Sequence, residues 1–258
     1  MEQGSTGSRV ALVTGGTRGI GRGLAEALLA AGDRVVVCAR QAPETLPAAG
    51  GRTAEFAACD VRDVEQVRTL VAGVVDRHGR LDLLVNNAGG APAAEAATVS
   101  PRFHESIVRL NLLAPLNLAQ AANSAMQRQA EGGVIVFIGS ISGLRPSPGT
   151  AAYAAAKAGV LSLVTSLAIE WAPKVRVVAV SPGLVRTEQS HLHYGDEAGL
   201  SAVAATIPAG RLAEPADVAA AVLWVASPAA SYVSGTNLLL HGGGERPAFL
   251  GAANPKST

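Results

Sequence analysis

The chain of 258 residues is poor in cysteine, in aromatic side chains and in excess charge of either sign. Its two cysteines, Cys38 and Cys59, do not form a Cys-x-x-Cys pair, which argues against the common redox and zinc motifs. We interpret both as small buried residues at strand ends and expect no metal site. Low cysteine content is typical of the reducing cytoplasm, where we expect this protein.

Charged residues make up 16% of the sequence and nearly balance, for a formal net charge of +1, while aromatic residues make up 3%. Nucleic-acid-binding surfaces concentrate Lys and Arg, and single-strand binders interleave them with aromatic rings, so neither class is expected. The polar segment before Arg9 lacks the apolar core of a signal peptide. Apolar stretches such as 158–169 are interrupted and too short to span a bilayer, so we expect no membrane segment.

Short apolar runs alternate with amphipathic patterns along the sequence. The predicted strands are 10–13, 35–38, 54–58, 81–85, 134–138, 175–180 and 237–240, and the predicted helices are 21–31, 63–78, 102–129, 151–172 and 216–226. Strands that are apolar on both faces and alternate with helices indicate a parallel sheet covered on each side. The right-handed crossover rule then predicts an α/β fold: a doubly wound, seven-stranded parallel Rossmann sheet with helices on both faces.

No linker, repeat or composition break divides the sequence, so we expect one domain over residues 1–258. Residues 1–8 are expected to form a short disordered N-terminus, and residues 245–258 a C-terminal tail. The least regular segment, 186–211, follows a predicted strand end. Such a segment in an α/β fold is a candidate substrate lid.

A glycine-rich turn joins the first predicted strand to the first predicted helix. It reads Thr14-Gly15-Gly16-Thr17-Arg18-Gly19-Ile20-Gly21. A tight turn and the close approach of a pyrophosphate both need residues without Cβ, and the free N–H groups at a helix start favour an anion. The turn therefore predicts a dinucleotide site. The alternative is an ordinary glycine-rich turn without a ligand. The position of this turn in a βαβ unit disfavours that alternative.

No acidic residue follows the second predicted strand, where NAD-binding proteins of this fold place a carboxylate for the ribose 2′-hydroxyl. The sequence there is Cys38-Ala39-Arg40, and the next acid is Glu44. Arg40 and Arg18 could together hold a 2′-phosphate by charge-assisted hydrogen bonds. Two solvated surface arginines are the alternative. The missing acid favours NADP(H) over NAD.

Tyr153 and Lys157 lie four residues apart on a predicted helix, so both side chains share one face. An ammonium beside a phenol favours the phenolate, so we expect Lys157 to lower the pKa of Tyr153. Such a tyrosine can exchange a proton with an alcohol or ketone oxygen. The pair alone is weak evidence, because chance produces it often. Ser140 follows the fifth predicted strand and is expected at the same edge of the sheet as the glycine-rich turn.

Taken together, these features resemble the short-chain dehydrogenase/reductase family, in its single-domain Rossmann form, and in particular its NADPH-dependent ketoreductases. The resemblance covers about residues 10–244. It depends on several motifs in a fixed order: Thr14-Gly15-x-x-x-Gly19-x-Gly21, Asp60-Val61, Asn86-Asn87-Ala88-Gly89, Asn111, Ser140, Tyr153-x-x-x-Lys157 and Pro182-Gly183-x-Val185-x-Thr187.

The resemblance implies a role for each of four catalytic positions. Tyr153 would protonate the developing alkoxide, Ser140 would polarise the substrate carbonyl, and Lys157 would hold the nicotinamide ribose and lower the Tyr153 pKa. Asn111 would bind, through its backbone carbonyl, a water that relays protons from Lys157. Pro115 supports this last role because it has no N–H to bond that carbonyl in a helix. A helix kink without chemical purpose is the alternative.

The resemblance also implies the contacts of an NADP(H) cofactor. The pyrophosphate and 2′-phosphate would lie against Gly15, Thr17, Arg18, Gly19, Ile20, Gly21 and Arg40, the adenine against Asp60 and Val61, the adenosine ribose against Asn87, Ala88 and Gly89, and the nicotinamide half against Tyr153, Lys157, Pro182, Gly183, Val185 and Thr187.

The sequence thus predicts an oxidoreductase that reduces an apolar or bulky ketone with NADPH, because the loops expected to contact the substrate, 90–94 and 186–211, are low in charge. The motifs do not show whether the ketone belongs to a polyketide, a steroid or an acyl thioester. An NAD(P)-dependent alcohol or steroid dehydrogenase and a 3-oxoacyl thioester reductase remain open, and a non-catalytic cofactor sensor is a remote alternative. The resemblance further implies a homo-oligomer, a tetramer or a dimer.

Overall fold

The computed structural model describes residues 8–245 and 247–252. The strands are β1 (Val10–Thr14), β2 (Arg34–Ala39), β3 (Ala48–Ala49), β4 (Arg52–Thr53), β5 (Glu55–Ala58), β6 (Leu83–Asn86), β7 (Gly133–Ile138), β8 (Val175–Pro182) and β9 (Asn237–Leu240). The helices are α1 (Gly19–Ala30), α2 (Val64–His78), α3 (Pro101–Val108), α4 (Ala114–Met126), α5 (Ala151–Glu170), α6 (His191–Tyr194), α7 (Glu197–Thr206), α8 (Pro215–Val225) and α9 (Ala248–Ala252). Residues 1–7 of the expected N-terminal segment, and residues 246 and 253–258 of the expected tail, lie outside the described residues.

The main sheet has seven strands in the order β5-β2-β1-β6-β7-β8-β9, and every neighbouring pair is parallel. The chain winds outward from β1 to β5 on one side and from β6 to β9 on the other. The predicted doubly wound seven-stranded sheet is therefore confirmed. The strand order reverses between β1 and β6, so the carboxyl ends of these two strands border the crevice where ligands bind in folds of this kind.

The sheet is apolar on both faces because helices cover both. One face packs against α2, α4 and α5, and the other against α1 and α8. Alternate residues of β1 divide between these layers: Val10 and Leu12 belong to the first, and Ala11 and Val13 to the second. Period-two alternation with both faces buried explains the continuous apolar runs in the sequence.

The local sequence determines where several helices begin and end. Asp63 accepts hydrogen bonds from the N–H groups of Glu65 and Gln66 and so caps α2, which ends at Gly79 with φ of 75°. Side-chain caps satisfy donors that the first turn of a helix leaves free. The helix α8 starts with a proline at its first position and a capping box between Glu214 and Asp217.

The helix predicted over 102–129 is not continuous. A π-helical segment, Arg109–Leu113, joins α3 to α4, and the Ala114 N–H donates to the Arg109 carbonyl five residues earlier. Pro115 lies directly beyond this segment and lacks an N–H, which is a known reason for irregular helix bonding. Such π turns are often found at functional positions.

Among the described residues, one helix is long and apolar enough to cross a membrane, judged by length and composition alone: α5, with 20 residues. The apolar stretch that the sequence indicates within it, 158–169, is shorter. In the structure α5 packs against β8 and contributes Val160, Val164 and Leu167 to the core. Both cysteines are free and buried, as expected. The strand β9 lies at the edge of the sheet, and its Leu239 is partly exposed.

Candidate active site

The glycine-rich turn after β1 has the tight geometry that its composition predicts. Gly15 has φ of 62° and Gly19 has φ of 52°, both in the left-handed region that favours glycine. The Gly15 N–H donates to the Cys38 carbonyl at 2.9 Å, which ties the turn to β2. A Cβ at Gly21 would overlap the Gly15 carbonyl oxygen, so the first turn of α1 can approach the loop only without a side chain there.

The end of β6 is bonded directly to the same turn. The Thr14 hydroxyl accepts from the N–H groups of Asn87 and Ala88, each at 3.0 Å. In return, the Asn87 side-chain amide donates to the carbonyls of Thr14 at 2.9 Å and Gly15 at 3.2 Å. These bonds bring the segment Asn87–Gly89, predicted for the adenosine ribose, beside the predicted phosphate loop. Thr14 opens the glycine-rich motif, but the bridging role of its hydroxyl was not predicted, because it depends on a contact with a distant segment.

The segment after β8 reaches the start of α1 from the opposite side. A Cβ at Gly19 would lie 3.7 Å from Cγ2 of Thr187. Glu188, the next residue, accepts a hydrogen bond from the Gly19 N–H at 2.9 Å. A carboxylate at a helix N-terminus is electrostatically favourable, and this is also where a pyrophosphate would bind. Glu188 is therefore part of the site, although no motif indicated it.

The charges on the predicted adenine side are arranged around Asp60. Arg62 donates to both carboxylate oxygens of Asp60, the shortest contact being 2.6 Å. These bonds lower the pKa of Asp60 to about 2, although burial acts in the opposite direction. The charge of Arg40 contributes to the lowering. Arg40 itself is exposed, as is Arg18 at the start of α1. Asp60, which follows the strand next to β2, is thus already paired with a guanidinium.

Lys157 is buried on the face of α5 that carries Tyr153. Its Nζ donates to the Ile138 carbonyl at 2.7 Å and lies 5.6 Å from the centroid of the Tyr153 ring. Complete burial lowers the pKa of Lys157 to about 8. Because Ile138 ends β7, this bond anchors α5 to the carboxyl edge of the sheet, on the same side as Ser140.

Ser140 and Tyr153 form the other part of this cluster. The Ser140 hydroxyl accepts from the Ser142 N–H at 3.1 Å, and it lies close enough to the Tyr153 phenol to lower its pKa. Burial raises that pKa by more, so the net shift of the Tyr153 pKa is upward. The expectation that Lys157 lowers it is therefore wrong for this structure. The physical reason is desolvation, which disfavours the charged phenolate and is the largest cause of the shift.

Asn111 lies within the π-helical segment and is almost completely buried. Its side-chain oxygen accepts from the Gly90 N–H at 2.8 Å, and its amide donates to the carbonyls of Gly90 at 3.0 Å and Ile107 at 2.9 Å. Asn111 thus fixes the loop that follows β6. Its proposed backbone contact with a water stays a prediction.

Gly89 is the point where these groups converge. A Cβ at Gly89 would lie 2.7 Å from the Asn111 side-chain oxygen and 3.6 Å from the Lys157 ammonium. The space next to the buried ammonium is therefore kept open by a glycine. A dinucleotide fits this donor set, because glycine turns suit its pyrophosphate and the ammonium suits ribose hydroxyls. Within residues 8–245 and 247–252, no three His, Cys, Asp or Glu side chains are close enough to hold a metal ion.

The predicted lid is partly helical. It contains α6 and α7, and a small cluster of Leu200, Ile207 and Leu212 holds it together. Of the remaining predicted nicotinamide contacts, Pro182 is buried at the end of β8, and Gly183 donates its N–H to the Leu240 carbonyl at 2.7 Å. Val185 forms a bridge with Ala213. The lid therefore follows the carboxyl end of β8, and the cluster of Ser140, Tyr153 and Lys157 lies at the carboxyl end of the neighbouring β7, so both lie at the edge of the sheet that carries the crevice, or cleft.

The chain matches the family described as enoyl-(acyl carrier protein) reductase over residues 15–245. The 3-oxoacyl-(acyl-carrier-protein) reductase FabG of Vibrio harveyi is 34% identical over 238 residues, which cover 91% of this chain and 96% of that protein. D-threitol dehydrogenase of Mycolicibacterium smegmatis is 37% identical over 241 residues, which cover 91% of this chain and 92% of that protein. The crystal structure of a variant of actinorhodin polyketide ketoreductase with NADPH has a TM-score of 0.83 at 33% identity, over 92% of this chain and 97% of that chain.

All three of these proteins are named as reductases or dehydrogenases, and each aligns over almost its whole length. The match to the family covers the glycine-rich turn at one end and Glu245 at the other. The chain therefore belongs to the short-chain dehydrogenase/reductase family of NAD(P)-dependent oxidoreductases, which act on CH–OH and C=O groups.

Proposed function

We propose that the protein reduces an apolar or bulky ketone with NADPH, and that Tyr153 is the general acid. The observation that carries this proposal is the cluster at the end of β7, where the buried Lys157 ammonium lies 5.6 Å from the centroid of the Tyr153 ring and Ser140 is close enough to lower the pKa of the phenol. Buried titratable groups beside a cleft are typical of catalytic sites. NADPH oxidation measured against a panel of ketones tests the proposal, and no turnover with any ketone or acyl thioester would refute it.

Each residue of the cluster has a separate role in the proposed reaction. Bound NADPH supplies the hydride. Tyr153 gives its proton to the oxygen of the ketone as the alcohol forms, and the raised pKa of the phenol keeps it protonated at neutral pH. Ser140 donates a hydrogen bond to the same oxygen, where negative charge develops. Lys157 holds the nicotinamide ribose through its ammonium, and Asn111 keeps the loop after β6 in place and carries the water of the proton relay.

The cofactor is NADPH in this proposal because the residue that follows β2 is Arg40 rather than an acid. Arg40 and Arg18 are both exposed at the end of the sheet and free to turn toward a 2′-phosphate. We expect kcat/KM to be at least about tenfold higher with NADPH than with NADH, a modest effect for a charge-assisted phosphate contact. Arg40→Asp should weaken NADPH use selectively. Equal use of both cofactors by the unmodified enzyme contradicts this part of the proposal.

The substrate is proposed as uncharged and bulky because the loop 90–94 and the lid are poor in unpaired charge. The relatives named above act, by name, on a 3-oxoacyl carrier protein, a sugar alcohol and a polyketide. A 3-oxoacyl thioester is the second candidate, supported by the match to an acyl-carrier-protein reductase over most of the chain. The ratio of kcat/KM for a bulky ketone to that for a 3-oxoacyl thioester separates the two.

The protein is further proposed to be a cytoplasmic, single-domain homo-oligomer, a tetramer or a dimer. Exposed apolar side chains on α5 and β9 support this, and we propose these two elements as the interfaces: Ile169 of α5 is 82% exposed, and Leu239 of β9 is 36% exposed. Monomeric proteins rarely leave extended apolar patches uncovered. Light scattering at micromolar concentration tests the assembly, and a monomer mass would refute it.

A further inference from the structure

An ion pair connects the C-terminal segment to the loop between Ser140 and Tyr153. Arg145 donates from Nη2 to Glu245 Oε1 at 2.6 Å and from Nη1 to the Pro146 carbonyl at 2.8 Å. The third donor of the guanidinium, Nε, is buried without a hydrogen-bond acceptor. The guanidinium thus has one unsatisfied N–H, and that N–H is buried.

The position of Glu245 does not depend on the ion pair alone. The three glycines before it, Gly242, Gly243 and Gly244, all have positive φ. A Cβ at Gly242 would lie 2.9 Å from Ile207, and a Cβ at Gly243 would lie 2.9 Å from Pro208. The Gly242 carbonyl also accepts from the Ala209 N–H at 2.9 Å. The backbone before Glu245 is thus seated on the end of the lid, and its carboxylate extends from there toward Arg145.

The ion pair lies close to the lid. Both charges are close enough to Tyr194, in the lid helix α6, to affect its pKa. Burial raises this pKa most, Arg145 lowers it, and Glu245 raises it. Arg145 is five residues beyond Ser140 and eight before Tyr153. The ion pair therefore connects the loop between Ser140 and Tyr153 to the glycine segment that is seated on the end of the lid.

We propose that Glu245 determines the charge preference of the substrate cleft by neutralising Arg145, so that the cleft accepts uncharged ketones and discriminates against ketones that carry a carboxylate. A substrate carboxylate would have to compete with Glu245 for the guanidinium and would be repelled by it. This inference rests on the proposed ketone reduction and adds the residues that decide which ketones enter.

The test compares one ketone in two charge states, para-acetylbenzoate and its methyl ester. In Glu245→Gln the ratio of kcat/KM for the acid to that for the ester should rise about tenfold, because the freed guanidinium can form a charge-assisted hydrogen bond with the carboxylate. In the double variant Arg145→Gln/Glu245→Gln this gain should disappear. A general loosening of the cleft would change the rates for acid and ester together and leave their ratio unchanged.

A second ion pair of the lid gives the matched control. Arg186 donates to Glu197 at 2.7 Å, and both side chains are exposed. Glu197→Gln removes the same charge at a different site and should leave the ratio within about twofold of its starting value, as for most exposed pairs. An unchanged ratio in Glu245→Gln, or an equal gain in the double variant or in Glu197→Gln, would overturn the inference.

Failure of the inference can be distinguished from failure of the proposed reaction. An enzyme that reduces neither compound with NADPH or NADH refutes the reaction for this class of ketone. Calorimetric titration of para-acetylbenzoate onto each variant then decides the role of Glu245 without turnover. Tighter binding by Glu245→Gln than by the unmodified or the double-variant protein supports the inference, and equal binding by all three contradicts it.

Discussion

The two sides of the cleft are built differently. On the cofactor side, buried strands end in a glycine turn that is fixed by hydrogen bonds between side chains and backbone, including those of Asn87 with Thr14 and Gly15. On the lid side, a helix of four residues and one of ten are held by a cluster of three buried apolar residues and by exposed ion pairs such as Arg186–Glu197. The first side is determined by sterics and buried bonding, and the second by a few weak contacts.

This difference predicts different stabilities for the two regions. Segments with few buried contacts open at a fraction of the free energy of global unfolding, whereas core strands open only with the whole molecule. Changes on the cofactor side should therefore affect the whole fold and cofactor binding, and changes in the lid should affect the substrate.

Tyr153 lies where the two regions meet, and Tyr153→Phe separates chemistry from binding. The substitution keeps the ring and removes the hydroxyl, so turnover should fall by about 10² to 10⁴, as for a lost general acid. The NADPH dissociation constant should stay near that of the unmodified enzyme, because the glycine turn and Lys157 are intact. Stopped-flow turnover and fluorescence titration measure the two quantities. Near-normal turnover with intact binding would show that another group is the acid.

Two glycine substitutions compare the regions directly, because the same clash occurs in both. A Cβ at Gly21 would overlap the Gly15 carbonyl oxygen, and a Cβ at Gly199 in α7 would overlap the Tyr194 carbonyl oxygen. Gly21→Ala should lower the free energy of unfolding by roughly 3 kcal/mol and abolish NADPH binding. Gly199→Ala should cost less than about 1 kcal/mol globally, because the lid can open locally, and should raise KM for the ketone. Denaturant titration and kinetics measure these effects, and equal losses of stability would contradict the distinction.

The buried ammonium of Lys157 predicts the pH dependence of reduction. Its pKa of about 8 lies below the ordinary value of 10.5, while that of Tyr153 is raised. In the free enzyme, Lys157 thus loses its proton before Tyr153 as pH rises. The value of kcat/KM should fall about tenfold per pH unit above pH 8, through loss of the ammonium that holds the ribose.

The same shift predicts a change in stability with the opposite sign. Between pH 8 and 10.5 the unfolded chain binds the Lys157 proton more tightly than the folded chain, so stability should rise with pH across this window. Lys157→Met should flatten that rise, which denaturant titrations at several pH values measure. A pH-independent kcat/KM up to pH 10 would mean that Lys157 does not titrate as its burial indicates.

Glu188 gives the smallest expected effect. Its carboxylate accepts from the Gly19 N–H, so it lies where the cofactor's phosphates bring further negative charge. Glu188→Gln keeps a hydrogen-bond acceptor and removes the charge, so NADPH should bind about threefold more tightly, with an effect that shrinks at high salt. Glu197→Gln is the control, because its charge is in the lid. Weaker NADPH binding by Glu188→Gln would show that the carboxylate helps to hold the cofactor.

The sequence was most informative where structure depends on the backbone and on packing within one element. All seven strands of the main sheet were predicted to within a few residues, because buried parallel strands read as unbroken apolar runs. The hairpin of β3 and β4 was missed, since strands of two residues have no periodicity. The helices of the lid were missed as well: α7 is rich in alanine and has little apolar pattern.

The same division holds for the site. The glycines of the turn and the residues Ser140, Tyr153 and Lys157 were found from their motifs, because their spacing along one strand end or helix face determines their arrangement. Contacts between distant segments were not predictable. Glu188 and Gly19 are 169 positions apart, and the Arg145–Glu245 pair joins residues 100 positions apart. The upward shift of the Tyr153 pKa also required the structure, because burial cannot be judged from spacing.

The edge strand β9 has a consequence for handling the protein. It pairs with β8 on one side, and its four residues include the partly exposed Leu239. An open edge with apolar side chains is a template for uncontrolled strand pairing between chains. Assembly into an oligomer that covers this edge would protect against precipitation, and the protection would weaken on dilution, since assembly follows mass action.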